Sequence, residues 1–107
     1  MTRKLHAIHP GEVLREEFLK PLELSVNALA RELRTDASRM NGIVHEERSL
    51  TPDTALRLAR YFGTTPNFWL NLQTQYDLDV TEDEKAAEIV RDVRPRALAS
   101  LRRSAAK

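Results

Sequence analysis

The sequence predicts an all-α protein, and three observations support this. Apolar residues recur at spacings of three and four along most of the chain, which is the period of an amphipathic helix. Alternating apolar and polar residues, as half-buried strands require, are scarce, and the 107 residues include only three glycines. This length suits one compact domain with a single core.

The first two helices are predicted from caps and apolar spacing. The first covers about residues 12–20, and Pro21 is expected to end it. Ser25 is a suitable N-cap for the second helix. Apolar side chains there occupy positions i, i+3, i+4 and i+7, which predicts a buried face made of Val26, Leu29, Ala30 and Leu33.

A third helix follows after a break of about three residues. Either Thr35 or Asp36 can cap it, and the sequence does not choose between them. Its inward side chains are predicted to be Met40, Ile43 and Val44.

Three more helices complete the predicted architecture. Thr51-Pro52 and Thr65-Pro66 each combine an N-cap with a proline at the first helical position, and Gly63 follows the fourth helix at its C′ position. The fifth helix, about residues 66–76, carries a stripe of Phe68, Trp69, Leu72 and Tyr76. A capping box at residues 81–84 predicts a separate sixth helix up to Pro95.

Charge is segregated near the C-terminus. Residues 77–92 hold seven acids and two bases, whereas residues 93–107 hold five bases and no acid. We therefore divide the chain into residues 1–80, the main domain, and residues 81–107, a C-terminal helix with a basic tail. The tail could contact nucleic acid, bind a protein partner or act as a solubilising end.

Composition excludes several functional classes. Lys and Arg number 17 against 16 Asp and Glu, a formal charge of +1, so total charge does not indicate a polyanionic partner. The absence of cysteine excludes disulfides, thiolate zinc sites and cysteine nucleophiles, and it suits a reducing compartment. No apolar run approaches the roughly 20 residues of a membrane span. We expect a cytoplasmic protein with no membrane partner.

The part of the sequence that most clearly indicates a function is residues 26–44. Two short amphipathic helices are joined there by a tight turn, which predicts a helix-turn-helix motif. If the apolar residues of the third helix point inward, its other face displays polar and small residues at about 100° per residue. These are Ser38, Asn41, Gly42 and His45, with Ala37 near the start and Arg39 on the flank.

These residue types suit the major groove of DNA. Ser and Asn are short hydrogen-bonding groups, and Asn can read adenine through two bonds. Gly42 would allow close backbone approach although it lowers helix propensity by about 1 kcal/mol relative to Ala. Phosphate contacts are expected from Ser25 and Asn27 at the start of the second helix and from Arg48. The alternative interpretation is an ordinary solvated helix face.

Longer stretches of the chain carry a family resemblance. HPGEVLREEFLKPLELS, NALAREL and TPDTALRLARYFGTTPNFWLNLQTQYDL, which together span about residues 8–78, closely resemble the HigA-type antitoxins. These are the addiction-module antidote branch of the XRE/Cro proteins, which have a lambda-repressor-like helix-turn-helix fold. The resemblance implies five helices, here with an additional C-terminal helix.

The same resemblance implies a function. A protein of this kind is expected to form a homodimer, bind palindromic operator DNA to repress its own operon, and neutralise a HigB-like, RelE-related toxin that cuts mRNA. It implies base contacts from Ala37, Ser38, Asn41 and Gly42, with Arg39, His45 and Arg48 contacting the backbone or flanks. The alternatives are a transcriptional repressor without a toxin and an interaction module that has lost operator binding.

This sequence departs from the family pattern at three places. Val26 replaces a glutamine that could bind phosphate, and Arg34 replaces a turn glycine at a cost of about 1 kcal/mol if the position is left-handed. His45-Glu46-Glu47 replaces Asn-Gly-Lys. Two acids beside the phosphates are expected to weaken binding.

Other residue combinations carry less weight. His6, His9 and Glu12 have a spacing that metal ligands can use, but Pro10 and Gly11 interrupt the helical face, so we predict a helix-entry role for His9 and no metal. Glu16 and Glu17 are read as a solvated face rather than as an acid/base pair. The aromatic residues of the fifth helix are assigned to a core or a dimer interface. We predict neither enzymatic activity nor a cofactor.

Overall fold

A computed structural model describes residues 7–98, and throughout that range the chain forms helices without strands, as predicted. Helix α1 has three consecutive segments: an α-helical turn at Pro10–Val13, a π-helix at Leu14–Leu19 and a last α-helical turn at Lys20–Leu22. The others are α2 at Val26–Leu33, α3 at Ala37–Val44, α4 at Pro52–Phe62 and α5 at Pro66–Asp92.

Helix α1 passes through Pro21, so the prediction that this residue ends the helix was wrong. In a regular α-helix a proline lacks the donor for one bond, and its ring collides with the carbonyl four residues earlier. The residues before Pro21 are wound more widely, since the N–H of Lys20 donates to the carbonyl of Arg15, five residues back. This wider turn accommodates the ring. The helix ends at Leu22, and Glu23 is left-handed with φ 54°.

Most of the predicted helix caps are confirmed. The hydroxyls at three N-caps accept hydrogen bonds from backbone N–H groups three residues later, at 3.0 to 3.3 Å, and these caps are Ser25, Thr51 and Thr65. Asp36, not Thr35, caps α3, and its Oδ1 accepts from the N–H of Ser38 at 3.4 Å. Gly63 follows α4 with φ 77°.

The predicted fifth and sixth helices are one continuous helix, so the prediction of a separate sixth helix was wrong. No glycine or proline interrupts residues 77–81. Side-chain hydrogen bonds also cross the expected break, from Gln73 Nε2 to Asp77 Oδ1 at 2.9 Å and from Gln75 Nε2 to Asp79 Oδ1 at 2.8 Å. The capping box at residue 81 therefore lies inside a helix, where its backbone donors already have partners.

The core lies between the inner faces of all five helices. Trp69 is completely buried, its ring packs against Phe18 of α1 and Phe68 of α5, and its Nε1 donates to Thr64 Oγ1 at 2.8 Å. Phe68, by contrast, is 39% exposed. The aromatic residues thus serve the core, with Phe68 at its edge.

Two contacts fix the position of α3. Gly11 lies so close to α3 that an added Cβ would be 1.9 Å from the carbonyl oxygen of Ile43. The loop after α3 is held from α5, because the N–H of Leu50 donates to the buried Oε1 of Gln73 at 2.7 Å. Both contacts orient the helix-turn-helix on the rest of the domain.

The outer part of α5 stands apart from the core. From residue 81 to residue 98 every position is exposed. Its exposed apolar side chains include Ile89 and Val90, and Val93, the first residue after the helix, is exposed as well. No described helix is both long and apolar enough to cross a membrane.

Candidate nucleic-acid interface

Helix α3 has one buried face and one polar face. Met40, Ile43 and Val44 are buried, as predicted. Ser38 and His45 are exposed on the other side of the helix, with Asn41 and Gly42 half-buried between them. The buried apolar face therefore anchors α3 in the core, while short polar side chains on the opposite face point toward solvent.

Two of these polar side chains are oriented by the helix's own backbone. Asn41 Nδ2 donates to the carbonyl of Ala37 at 3.0 Å. The Nδ1 of His45 lies 2.8 Å from the carbonyl of Asn41. Asn41 Oδ1 is thereby turned away from the backbone as an acceptor.

Gly42 has a neighbour that the sequence did not reveal. An added Cβ there would come within 2.5 Å of Arg48 Cδ and 2.7 Å of Arg48 Cγ, so the aliphatic part of Arg48 crosses α3 at this residue. The carbonyl of Gly42 also accepts from the N–H of Glu47 at 2.8 Å and of Arg48 at 3.1 Å. The glycine thus makes room for Arg48 on the polar face of α3.

The start of α2 lies beside the end of α3. Ser25 and Asn27 are exposed, while Val26 is half-buried and packs against the core. Ser25 and His45 line a shallow groove together with Arg15 and Lys20. The structure therefore brings Ser25 and His45, both predicted to contact the DNA backbone, to one surface. Of the remaining predicted residues, Ala37 and Arg39 are half-buried.

The turn between α2 and α3 is held by a residue that the sequence analysis missed. Arg34 is left-handed with φ 56°, the conformation that was predicted to be costly. Arg57 of α4 donates from Nη1 to the carbonyls of Leu33 at 2.9 Å and Arg34 at 3.3 Å. Its Nε binds Asp53 at 2.9 Å. A cation at the end of α2 satisfies carbonyls that have no partner inside the helix.

A second missed residue, Arg15, binds the end of α3. Its Nη1 donates to the carbonyl of Val44, and its Nη2 lies 3.0 Å from Glu46 Oε2. The hydrogen bond to Glu46 raises the pKa of the Arg15 guanidinium above its ordinary value. Glu46 is consequently paired, whereas Glu47 beside it is exposed. Only the spacing of charges over 31 residues could have suggested this pair, and spacing alone does not predict it.

His9 has the predicted role at the entry of α1. It is 2% exposed, and its Nδ1 accepts from the N–H of Gly11 at 2.8 Å. Its ring meets Tyr76 edge-on with centroids 4.8 Å apart. Burial lowers the pKa of His9, and the nearby charge of Glu46 opposes this. His6 lies outside the described residues, which contain no group of three His or acidic side chains placed to hold a metal.

Comparison with known proteins gives the following similarities. No family model matches the chain. It is 57% identical over 82 residues to virulence-associated protein I of Dichelobacter nodosus, covering 77% of this chain and 76% of that protein. It is 41% identical over 96 residues to an HTH-type transcriptional regulator of Haemophilus influenzae, covering 89% and 88%. It is 35% identical over 75 residues to antitoxin HigA-1 of Vibrio cholerae, covering 70% of each.

Solved structures agree with these similarities. Pseudomonas aeruginosa antitoxin HigA with the higBA promoter superposes with a TM-score of 0.84 at 42% identity, covering 86% of this chain and all of that one. Antitoxin GraA in complex with its operator also superposes with a TM-score of 0.84 at 42% identity, covering 91% and 98%. Both of these antitoxins were solved with DNA.

Proposed function

This chain belongs to the HigA family of helix-turn-helix antitoxins, and on that premise we propose that it binds operator DNA near its own gene and represses its operon in the cytoplasm. The observation that supports this best is the orientation of α3. Its apolar residues are buried, and its polar face is open to solvent next to Arg48 and the start of α2. A helix held this way can enter a major groove.

The side chains of this face fall into two groups. Base edges would be read by the short residues near the middle of α3, which are Ala37, Ser38, Asn41 and Gly42. Phosphates would be bound by residues at the margins, which are Ser25, Asn27, Arg39, His45 and Arg48. The N–H groups at the start of α2 and the cations at the margins would attract phosphate although the chain is almost neutral.

A homodimer would supply the second α3. Two copies related by a two-fold axis would place their α3 helices in successive major grooves about 34 Å apart on a palindromic site. Helix α5 offers a surface for this association, because Leu78 and Ile89 are both exposed and, being eleven residues apart, lie on the same side of it. In this arrangement the helix-turn-helix within residues 1–80 binds DNA, and α5, which continues into residues 81–107, serves association.

The second partner would be a HigB-like toxin. Binding of the antitoxin would block the toxin sterically from its mRNA substrate, and occupancy of the operator would block transcription. Toxin binding and operator binding would use different surfaces, because the polar face of α3 would be occupied by DNA.

A repressor without a toxin is the second candidate. The similarity to an HTH-type transcriptional regulator over 89% of the chain favours it. The two candidates share the fold and the DNA-binding face. A neighbouring reading frame for a RelE-like protein that co-purifies with this chain would support the antitoxin, and its absence would favour the repressor.

The test of DNA binding is a band shift with the region upstream of the gene. Ser38→Ala is expected to change the preference between cognate and random duplexes, because it removes a base contact. Arg48→Ala should weaken binding to both duplexes alike, because it removes a phosphate contact. Equal effects of the two variants on both duplexes would refute the groove assignment, and no retention of wild type at low salt would refute DNA binding and favour an interaction module.

A further inference from the structure

We propose that Arg15 and Glu46 are a positioning pair for DNA binding. They would hold the end of α3 in the conformation that places Arg48 across its polar face. Glu46 would then support DNA binding, although it is an acid beside the expected phosphate path. This proposal rests on the DNA-binding role proposed above.

The guanidinium of Arg15 binds two acceptors at the end of α3. Nη1 donates to the carbonyl of Val44, the last residue of the helix, and Nη2 donates to Glu46 Oε2 at 3.0 Å. Carbonyls in the last turn have no partner within a helix, and a cation placed there also interacts favourably with the helix dipole. Because the guanidinium is planar, engaging two of its nitrogens fixes the direction of both bonds. Arg15 thus links α1 to the segment after α3.

The backbone of Glu46 explains why this link matters. Glu46 has φ 65°, a left-handed conformation that is unfavourable for a residue other than glycine. Such a conformation persists only where neighbouring contacts hold it. It reverses the chain so that the N–H groups of Glu47 and Arg48 both reach the carbonyl of Gly42. The position of Arg48 therefore depends on the conformation of Glu46.

Charge and burial distinguish the two acids that follow α3. The side chains of Arg15 and Glu46 are 31% and 30% exposed, so the pair is partly shielded from solvent and carries no net charge. Glu47 is exposed. If both acids merely repelled phosphates, removing either one would strengthen DNA binding. If Glu46 positions Arg48, removing it should weaken binding, and Glu47 provides a matched control.

The experiment measures the affinity of the full chain for a duplex from upstream of its gene and for a random duplex, across a salt series. We expect Glu46→Ala and Arg15→Met each to weaken binding several-fold and to lower the slope of log Kd against log salt by about one, which is also the change expected for Arg48→Ala. Glu47→Ala should bind as tightly as wild type or tighter. Circular dichroism would confirm that each variant is folded.

The decisive measurement repeats both substitutions in the Arg48→Ala background. A positioning pair has nothing left to position there, so Glu46→Ala and Arg15→Met should change affinity less than twofold. A general structural defect would weaken binding further in that background, and this result would overturn the proposal. Tighter binding by Glu46→Ala in the wild-type background would overturn it as well. If wild type does not prefer the cognate duplex at all, the DNA-binding role itself is refuted, which is a different outcome from either of these.

Discussion

Replacing Gly11 by alanine tests how closely α1 is packed on α3. An ideal Cβ on Gly11 would lie 1.9 Å from the carbonyl oxygen of Ile43 and 2.9 Å from its carbon. The shorter distance is about 1.5 Å inside an ordinary van der Waals contact. Both atoms belong to the backbone of a helix whose side chains are in the core, so neither can rotate away. The two helices would have to separate.

The magnitude follows from two opposing effects. Alanine has the higher helix propensity by up to about 1 kcal/mol. Overpacking a buried site costs about 1–3 kcal/mol, and a shift of backbone against backbone belongs at the upper end. We expect Gly11→Ala to lower the free energy of unfolding by about 2 kcal/mol, which corresponds to a fall of about 10 °C in Tm for a domain of this size.

The assay is thermal and urea unfolding followed by circular dichroism, with Gly42→Ala as the matched control. The three atoms nearest to a Cβ at Gly42 would all belong to the flexible side chain of Arg48. Gly42→Ala should therefore unfold at or slightly above the temperature of wild type, while its DNA binding weakens because Arg48 is displaced. A Gly11→Ala protein that melts within about 2 °C of wild type would refute the close approach of α1 to α3.

Three further predictions concern other contacts. Burial lowers the pKa of His9, so the unfolded chain binds a proton more readily than the folded chain does. The free energy of unfolding should therefore be constant above about pH 6.5 and fall as the pH drops below that value. Urea unfolding at pH 5.5 and 7.5 measures this difference, which should disappear in His9→Asn. Arg57→Met should lower the free energy of unfolding by about 1–2 kcal/mol, because the carbonyls of Leu33 and Arg34 lose a charged donor. Asp53→Asn should lower it by less than about 0.5 kcal/mol, because the ion pair of Asp53 with Arg57 is exposed. Equal losses of the two variants in urea unfolding would contradict the capping role of Arg57. Ile89→Asp should convert a dimer to a monomer in light scattering, and Leu56→Asp on α4, where the side chain is 60% exposed against 48% for Ile89, should not. The reverse result would place the interface on α4.

The features that were predicted correctly depend on residues close to one another in the sequence. The caps at Ser25, Thr51 and Thr65 depend on hydrogen bonds that span three residues, and the buried face of α3 depends on periodicity within one helix. Two local signals nevertheless failed. Pro21 did not end α1 because the preceding residues formed a π-helix, and the capping box at residue 81 did not begin a helix because α5 already ran through it.

What the sequence could not predict was contact between distant segments. Arg15 and Glu46 are separated by 31 residues, and Arg57 and Leu33 by 24. In the sequence, Arg15, Glu46 and Arg57 each look like an ordinary surface charge. Gly42 was assigned to close approach by DNA, and the structure adds that the glycine also accommodates Arg48. That the groove-facing residues contact bases stays a prediction.

The length of α5 divides its backbone into two regimes of amide hydrogen exchange. Amides near Trp69 and Gln73 lie in the buried part and should exchange only when the whole domain unfolds. Beyond Val80 the helix has no buried side chain and is about as short as isolated helices that are marginal in water. Those amides should exchange by fraying from the free end. A molecule that binds this end of α5 would have to order the helix there, which lowers its affinity. Slower deuterium uptake by these amides would then identify its binding site.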